Sequence, residues 1–275
     1  MLHDQTFAFI GSGAMGEAML KGLITSAGVP ASNVVASGPR QERGAELKAK
    51  YGVCVTIHNL EAINGAQIVV LSVKPQVLHE VMEELGGRIA PEALVLSIVA
   101  GARIETITTV LHHSSIARAM PNVPAQIGLG MTVWTCPAAL SQLHRDQAQA
   151  VFGSFGEEVY VSDERYLDMA TALSGTGPAY VFLFMEAMVD AGVHMGFSRR
   201  VAEQLVYQTV RGSVEYARHA GRHLATLRNQ VTSPGGTSAE ALYQIEKGGL
   251  RTVMSRAIWA AYQRSRRLGR GVEED

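Results

Sequence analysis

Apolar residues follow two regimes along this chain. In the first part they come as short, unbroken runs: Thr6–Ile10, Asn33–Ser37, Val53–Thr56, Gln67–Val73 and Leu94–Ile98. Continuous rather than alternating runs predict parallel strands buried on both faces. Met131–Trp134 and Glu158–Val161 read as the last strands. Helical patterning separates them over Glu17–Ile24, Gln41–Lys50 and Gln142–Phe152, and Pro75 opens a further helix. From Asp163 the strand-like runs stop. Helical segments follow over Tyr166–Leu173, Tyr180–Ala191, Arg200–Ala217, Ser238–Lys247 and Leu250–Leu268. The expected architecture is an α/β Rossmann-type domain over residues 1–162 and an all-α domain over 163–275. In the helix from Tyr180, the apolar residues Val181–Met185 and Ala187–Val189 go nearly all round. A helix of that kind needs burial on more than one face, and a partner subunit is the expected cover. The second domain is therefore read as a homodimerisation domain.

Composition narrows the class without naming a chemistry. With 275 residues, 47% hydrophobic and 18% charged, the chain has ample material for packed domains. A net charge of −1 gives no electrostatic case for nucleic acid or an anionic membrane. The basic run Arg264, Arg266, Arg267 and Arg270 reads as the solvated end of the last helix. Cys54 and Cys136 lack metal or CxxC spacing, and no metal site is expected. Both read as structural thiols in a reducing compartment. His112 and His113 have no carboxylate or cysteine at ligand spacing and read as surface histidines. No signal-like segment or uninterrupted membrane-length run stands out, so a cytoplasmic location is expected.

Candidate chemistry begins after the first strand. Gly11-Ser12-Gly13-Ala14-Met15-Gly16 sits between strand and helix, the context of a dinucleotide turn. Gly11 would make the turn, Gly13 admit the pyrophosphate, and Gly16 allow close packing. An NAD enzyme carries an acidic residue at the end of the second strand, whereas this chain reads Ser37-Gly38-Pro39-Arg40. A hydroxyl and a guanidinium suit a 2′-phosphate, so NADPH is expected with NADH as the weaker alternative. Lys74 precedes Pro75 at a strand end, and Ala100-Gly101 forms another glycine-bearing edge. Near the C-terminus, Ser233-Pro234-Gly235-Gly236 reads as a turn, and Thr237 or Ser238 can cap the helix behind it. Free N–H groups and hydroxyls there favour a carboxylate or phosphate; the plain alternative is an ordinary capped turn.

That last stretch, Val231–Leu242, resembles the signature of pyrroline-5-carboxylate reductases, with Ser238 where the family usually has threonine. The likeness covers nearly the whole chain. Ala119-Met120-Pro121-Asn122-Val123-Pro124 is similar to a Met-Pro-Asn-Thr-Pro stretch of the family, Val123 being a departure. Ser174-Gly175-Thr176-Gly177-Pro178-Ala179-Tyr180 is similar to its Ser-Gly-Ser-Gly-Pro-Ala-Tyr. The resemblance implies cofactor contacts at Asn59 and Val73-Lys74-Pro75, and a helix break near the nicotinamide end at Ser174 and Thr176. It implies that Ser233, Gly235, Gly236, Thr237 and Ser238 hold the carboxylate of a cyclic imine. The implied reaction is reduction of 1-pyrroline-5-carboxylate to proline, in a homodimer built into a larger ring. Thr237, Ser238 or water would supply any final proton. Three other classes share parts of this plan. A 3-hydroxyacid dehydrogenase would need a catalytic lysine, for which Lys247 is the only candidate in the helical part. A deazaflavin-dependent reductase could share the early strands, and a non-enzymatic sensor would bind NADP without turnover.

Overall fold

A computed structural model describes residues 2–269. The first part builds strand–helix units in chain order. These are β1 (Phe7–Ile10), α1 (Ala14–Thr25), β2 (Val34–Ser37), α2 (Gln41–Tyr51), β3 (Cys54–Thr56) and the single-turn α3 (Asn59–Ala62). After them come β4 (Ile68–Leu71), α4 (Pro75–Leu85), β5 (Leu94–Ser97), α5 (Ile104–Leu111) and β6 (Ile116–Met120). Next are β7 (Gly130–Thr135), α6 (Gln142–Gly153) and β8 (Gly156–Tyr160). The strands form one sheet in the order β3-β2-β1-β4-β5-β6-β7-β8. Strands β1 to β6 run parallel, β7 pairs antiparallel with β6, and β8 is parallel to β7.

Pleating explains why the central strands read as unbroken apolar runs. Phe7 and Phe9 of β1 enter one apolar cluster with Ile68, Val70, Leu94 and Leu96. Their neighbours Ala8 and Ile10 enter the opposite cluster with Val69, Leu71 and Val95. Each large side chain buried this way contributes roughly 1.5–3 kcal/mol. The register keeps strand ends level, with Ile10 opposite both Ser37 and Leu71. Gly11, Gly38 and Ser72 therefore leave the sheet at one edge. Because β2 and β4 flank β1 on opposite sides, that edge is the topological switch point where such sheets bind ligands.

Two expectations change here. His113 is buried, because His112 ends α5 in a left-handed conformation (φ 51°) and turns the next residue inward. Its ring Nε2 lies 2.8 Å from the Ala93 carbonyl, and burial lowers its pKa, which favours the neutral ring. It is not a surface histidine. Cys54 and Cys136 are both free, but only Cys136 is buried, and burial pushes its thiol pKa up.

The helical part comprises α7 (Arg165–Ala170), a π-helical turn (Thr171–Gly175), α8 (Gly177–His194), α9 (Arg199–Ala220), α10 (Leu224–Gln230), α11 (Thr237–Lys247) and α12 (Leu250–Leu268). Packing divides the chain into Met1–Thr176 with Ala261–Asp275, and Gly177–Ala260. The division differs from the change of pattern at Asp163 because α7 and the end of α12 belong with the sheet. Asp168 of α7 accepts a hydrogen bond from Ser265 of α12 at 2.7 Å. Glu164 binds the buried Arg118 of β6 at 2.7 Å and accepts from the Ile104 N–H at 2.9 Å. Of the basic run, Arg266 lies over the Tyr262 ring, and Arg270 falls outside the described residues.

In the second unit a small core of Val189, Ala202 and Val206 joins α8 to α9. Gly192 makes this approach possible, since a Cβ there would stand 3.1 Å from that of Ala202. Val181, Phe182, Leu183 and Phe184 remain exposed. The helical stretch Arg165–His194 is long and apolar enough, by length and composition alone, to cross a membrane. Glu186 and Asp190 interrupt it.

Candidate cofactor edge and anion-binding turn

The three motif glycines do three different things. Gly11 sits at φ +106°, where a Cβ would stand 2.7 Å from the Ser72 backbone. Gly16 lies against the turn itself, with a hypothetical Cβ 2.7 Å from the Gly11 carbonyl oxygen. Gly13 has ordinary extended backbone (φ −72°, ψ 178°) as the N-cap of α1, and a Cβ there would meet nothing within 4 Å. Its missing side chain serves no packing purpose and leaves bare backbone beside open space. Ser72 Oγ donates to the Gly11 carbonyl at 2.8 Å, tying β4 to the turn. The N–H groups of Ser12 and Gly13 have no acceptor among the described residues. Ala14 and Met15 follow as the first residues of α1, where the helix dipole favours an anion.

At the end of β2 the roles expected of Ser37 and Arg40 separate. Ser37 is fully buried, and its hydroxyl donates to Asn59 Oδ1 at 2.7 Å, with the Phe9 carbonyl at 3.3 Å. A buried hydroxyl so engaged does not reach a 2′-phosphate, so the direct contact expected of Ser37 is withdrawn. The strand pleat turns it inward. Arg40 is exposed, immediately precedes α2, and lines a cleft of about 320 Å³ with Ser12, Gly38, Gln41, Gly44, Lys48 and Thr56. Sequence reading missed Gln41 and Lys48. Their signal was the helical stripe Gln41, Gly44, Ala45, Lys48, whose two small central residues make room on the face that lines this cleft.

Asn59 opens α3, and both ends of its amide are engaged: Oδ1 accepts from Ser37, and Nδ2 donates to Glu84 Oε2 at 2.6 Å. Lys74 is exposed as the N-cap residue of α4, with Pro75 in the first turn. Val73 packs into the second core cluster, and its N–H lies against Gly11. The structure thus brings Gly11–Gly16, Arg40, Asn59 and Val73–Pro75 to one sheet edge. Ala100 and Gly101 follow β5, but a Cβ on Gly101 would stand 3.2 Å from the backbone at Leu268 and Gly269. The end of α12 covers that glycine. Ser174 and Thr176 donate their hydroxyl protons to the carbonyls of Ala170 and Thr171 at 3.0 and 2.8 Å. They retain only acceptor capacity. Asn122 ties this break to the sheet, donating to the Ser174 carbonyl at 3.1 Å and accepting from the Met131 N–H at 2.8 Å.

In the helical unit, Ser233–Gly236 closes a β-turn through a 3.1 Å bond from the Gly236 N–H to the Ser233 carbonyl. Pro234 and Gly235 (φ +70°) occupy its central positions, as a type II turn requires. Capping departs from expectation. The N-cap of α11 is Gly236, with no side-chain cap bond, and Thr237 is already the first helical residue. A glycine cap leaves both following hydroxyls uncommitted. The N–H groups and hydroxyls of Thr237 and Ser238 have no partner among the described residues. Two backbone donors and two hydroxyls therefore stand together at a helix start whose first-turn carboxylate, Glu240, accepts from Gln244 at 3.0 Å.

Known proteins resemble the chain over nearly its whole length. A family model described as "Pyrroline-5-carboxylate reductase dimerisation" matches residues 164–268. Another, "NADP oxidoreductase coenzyme F420-dependent", matches residues 6–101. Pyrroline-5-carboxylate reductase of Synechocystis is 39% identical over 95% of this chain and 97% of the relative. That of Pisum sativum is 35% identical over 96% of each. The chain belongs to the pyrroline-5-carboxylate reductase family. The crystal structure of a Plasmodium falciparum pyrroline carboxylate reductase with NADP bound matches at a TM-score of 0.88 and 30% identity. It covers 97% of this chain and 99% of that one. A 3-hydroxyisobutyrate dehydrogenase from Mycobacterium tuberculosis shares the fold alone, at a TM-score of 0.51 and 16% identity. Lys247, the residue that class would require, stands at the end of α11 with its ammonium 6.0 Å from the Tyr243 ring centre.

The residues of the sheet edge fit a dinucleotide phosphate. Gly13 leaves room where a pyrophosphate approaches backbone, and the cleft beside it carries Arg40 and Lys48. Among the described residues, no carboxylate lines that cleft. That donor set suits a 2′-phosphate and would leave a ribose 2′-hydroxyl without its usual acceptor.

Proposed function

We propose that this chain reduces 1-pyrroline-5-carboxylate to L-proline with NADPH, the last step of proline biosynthesis, in the cytoplasm. The observation that carries the reading is the Ser233–Ser238 turn, whose uncommitted donors form a carboxylate receptor in a chain of this family. When bound, NADPH supplies the hydride. The chain's own residues bind and orient. The glycine turn takes the pyrophosphate, Arg40 and Lys48 the 2′-phosphate, and Thr237 and Ser238 the substrate carboxylate. An imine that binds already protonated accepts hydride at carbon without a strong general acid. Thr237, Ser238 or water would supply any final proton. Oxidation of NADPH that depends on added 1-pyrroline-5-carboxylate, with proline as product, tests the reading. NADP binding without turnover would instead favour a sensor.

Cofactor preference follows from Arg40. A charge-assisted pair at a partly exposed site is worth on the order of 1–3 kcal/mol. Arg40→Ala should therefore raise the Michaelis constant for NADPH about tenfold to a hundredfold and leave that for NADH nearly unchanged. Equal losses with both cofactors would assign Arg40 to the fold.

The exposed apolar face of α8 supports assembly through the helical unit into a homodimer, and we extend this to a ring of dimers. Phe184, 49% exposed in the single chain, should tolerate no charge in a dimer core. Phe184→Asp should shift sedimentation from a multiple of the dimer mass towards monomer at micromolar concentration. A wild-type chain that sediments as a stable monomer would refute the assembly.

A further inference from the structure

We propose that Arg43, held by Glu17, is a positioning residue that sets the orientation of the Ser12–Gly13 peptide for the cofactor. The proposal rests on reading residues 11–16 as the pyrophosphate turn. Neither residue belongs to the glycine motif, and they lie on different helices. Arg43 Nε donates to the Ser12 carbonyl at 2.9 Å, one guanidinium nitrogen bonds Glu17 Oε2, and the other reaches Glu46 at 3.0 Å. The side chain is only 19% exposed. Glu17 Oε1 meanwhile accepts from Lys50 Nζ and from the Tyr51 hydroxyl, each at 2.8 Å.

The carbonyls of the turn show what Arg43 contributes. That of Gly11 is bonded by Ser72 Oγ, and that of Gly13 by the Glu17 N–H at 2.9 Å. Among the described residues, the Ser12 carbonyl has Arg43 as its donor. The peptide is trans, so its C=O and N–H point in opposite directions. Fixing the Ser12 oxygen on Arg43 therefore fixes the Gly13 N–H away from α2, beside the open space that the absent Cβ leaves. A free carbonyl could rotate towards an incoming phosphate and repel it. Arg43 removes that freedom before the cofactor arrives.

Glu17 makes the arrangement permanent. Burial opposes its ionisation, but the bonds from Lys50, Arg43 and Tyr51 outweigh it and hold the pKa at about 2. A carboxylate charged at every working pH balances the Arg43 cation and directs its fork. Only a planar guanidinium reaches both Ser12 and Glu17 in fixed geometry; an ammonium presents a single point. A plain staple between α1 and α2 is the competing account, and Lys50 separates the two. It shares Glu17, is 63% exposed, and does not touch the turn.

The test is equilibrium titration of the full chain with NADPH and with NADH, read by fluorescence, alongside thermal unfolding without cofactor. The pyrophosphate is common to both cofactors. Arg43→Met should therefore raise both dissociation constants by the same factor, about tenfold for one lost orienting bond. Arg43→Lys, which keeps the charge beside Glu17, should also weaken both. Lys50→Met should lower thermal stability without changing either constant. Wild-type affinity in both Arg43 variants would overturn the proposal. So would a loss confined to NADPH, which would make Arg43 a phosphate ligand, or an equal loss in Lys50→Met, which would make the network a staple. Gly13→Val separates this failure from that of the underlying reading. If it too binds both cofactors normally, the turn is not the pyrophosphate site.

Discussion

Gly13→Val should weaken NADPH binding by about a hundredfold or more while leaving the thermal transition of the protein close to that of the wild type. Its backbone lies in a region open to any residue, and a Cβ meets nothing within 4 Å, so neither strain nor clash penalises the fold. A valine side chain would instead fill the space beside the Ser12 and Gly13 N–H groups. A phosphate bond to a backbone N–H is worth about 1.5–3 kcal/mol, and losing two weakens binding by roughly a hundredfold to ten-thousandfold. Gly16→Val should behave in the opposite way. Its Cβ would press on the Gly11 carbonyl at 2.7 Å, so the loss should be one of stability. Fluorescence titration and calorimetric unfolding of both variants measure the contrast. Normal NADPH affinity in Gly13→Val would remove the cofactor from this turn.

The substrate carboxylate should matter almost as much. Thr237 and Ser238 present two N–H groups and two hydroxyls that no described residue occupies. If two of these bond the carboxylate at about 1.5–3 kcal/mol each, 1-pyrroline should have a specificity constant lower than its 5-carboxylate by about a hundredfold or more. Ser238→Ala removes one hydroxyl and should reproduce about a tenfold part of that loss, chiefly as a raised Michaelis constant. Comparable turnover of 1-pyrroline and its 5-carboxylate at low concentration would show that the turn holds no carboxylate.

What the sequence determined by itself was local or periodic. The central strands were legible because parallel strands packed on both faces must be apolar at every position, as Phe7–Ile10 and Ile68–Leu71 are. The glycine turn and the Ser233–Gly236 turn were legible because backbone conformation there depends on adjacent residues. Tertiary structure decided the rest. Whether Ser37 faced ligand or core depended on the pleat of β2 against β1, and the answer was the core, with Asn59 as its partner. Arg43 and Lys48 look alike on an exposed helix, yet one holds the turn and the other lines the cleft. Helical spacing puts them on different faces, but the placement of α2 against α1 decides which face meets the turn and which the cleft. Gly101 read as an open edge until α12 returned to cover it. Strand and turn propensities act over a few residues, whereas the partner of a polar side chain is chosen by packing between segments distant in sequence. No local pattern encodes that choice.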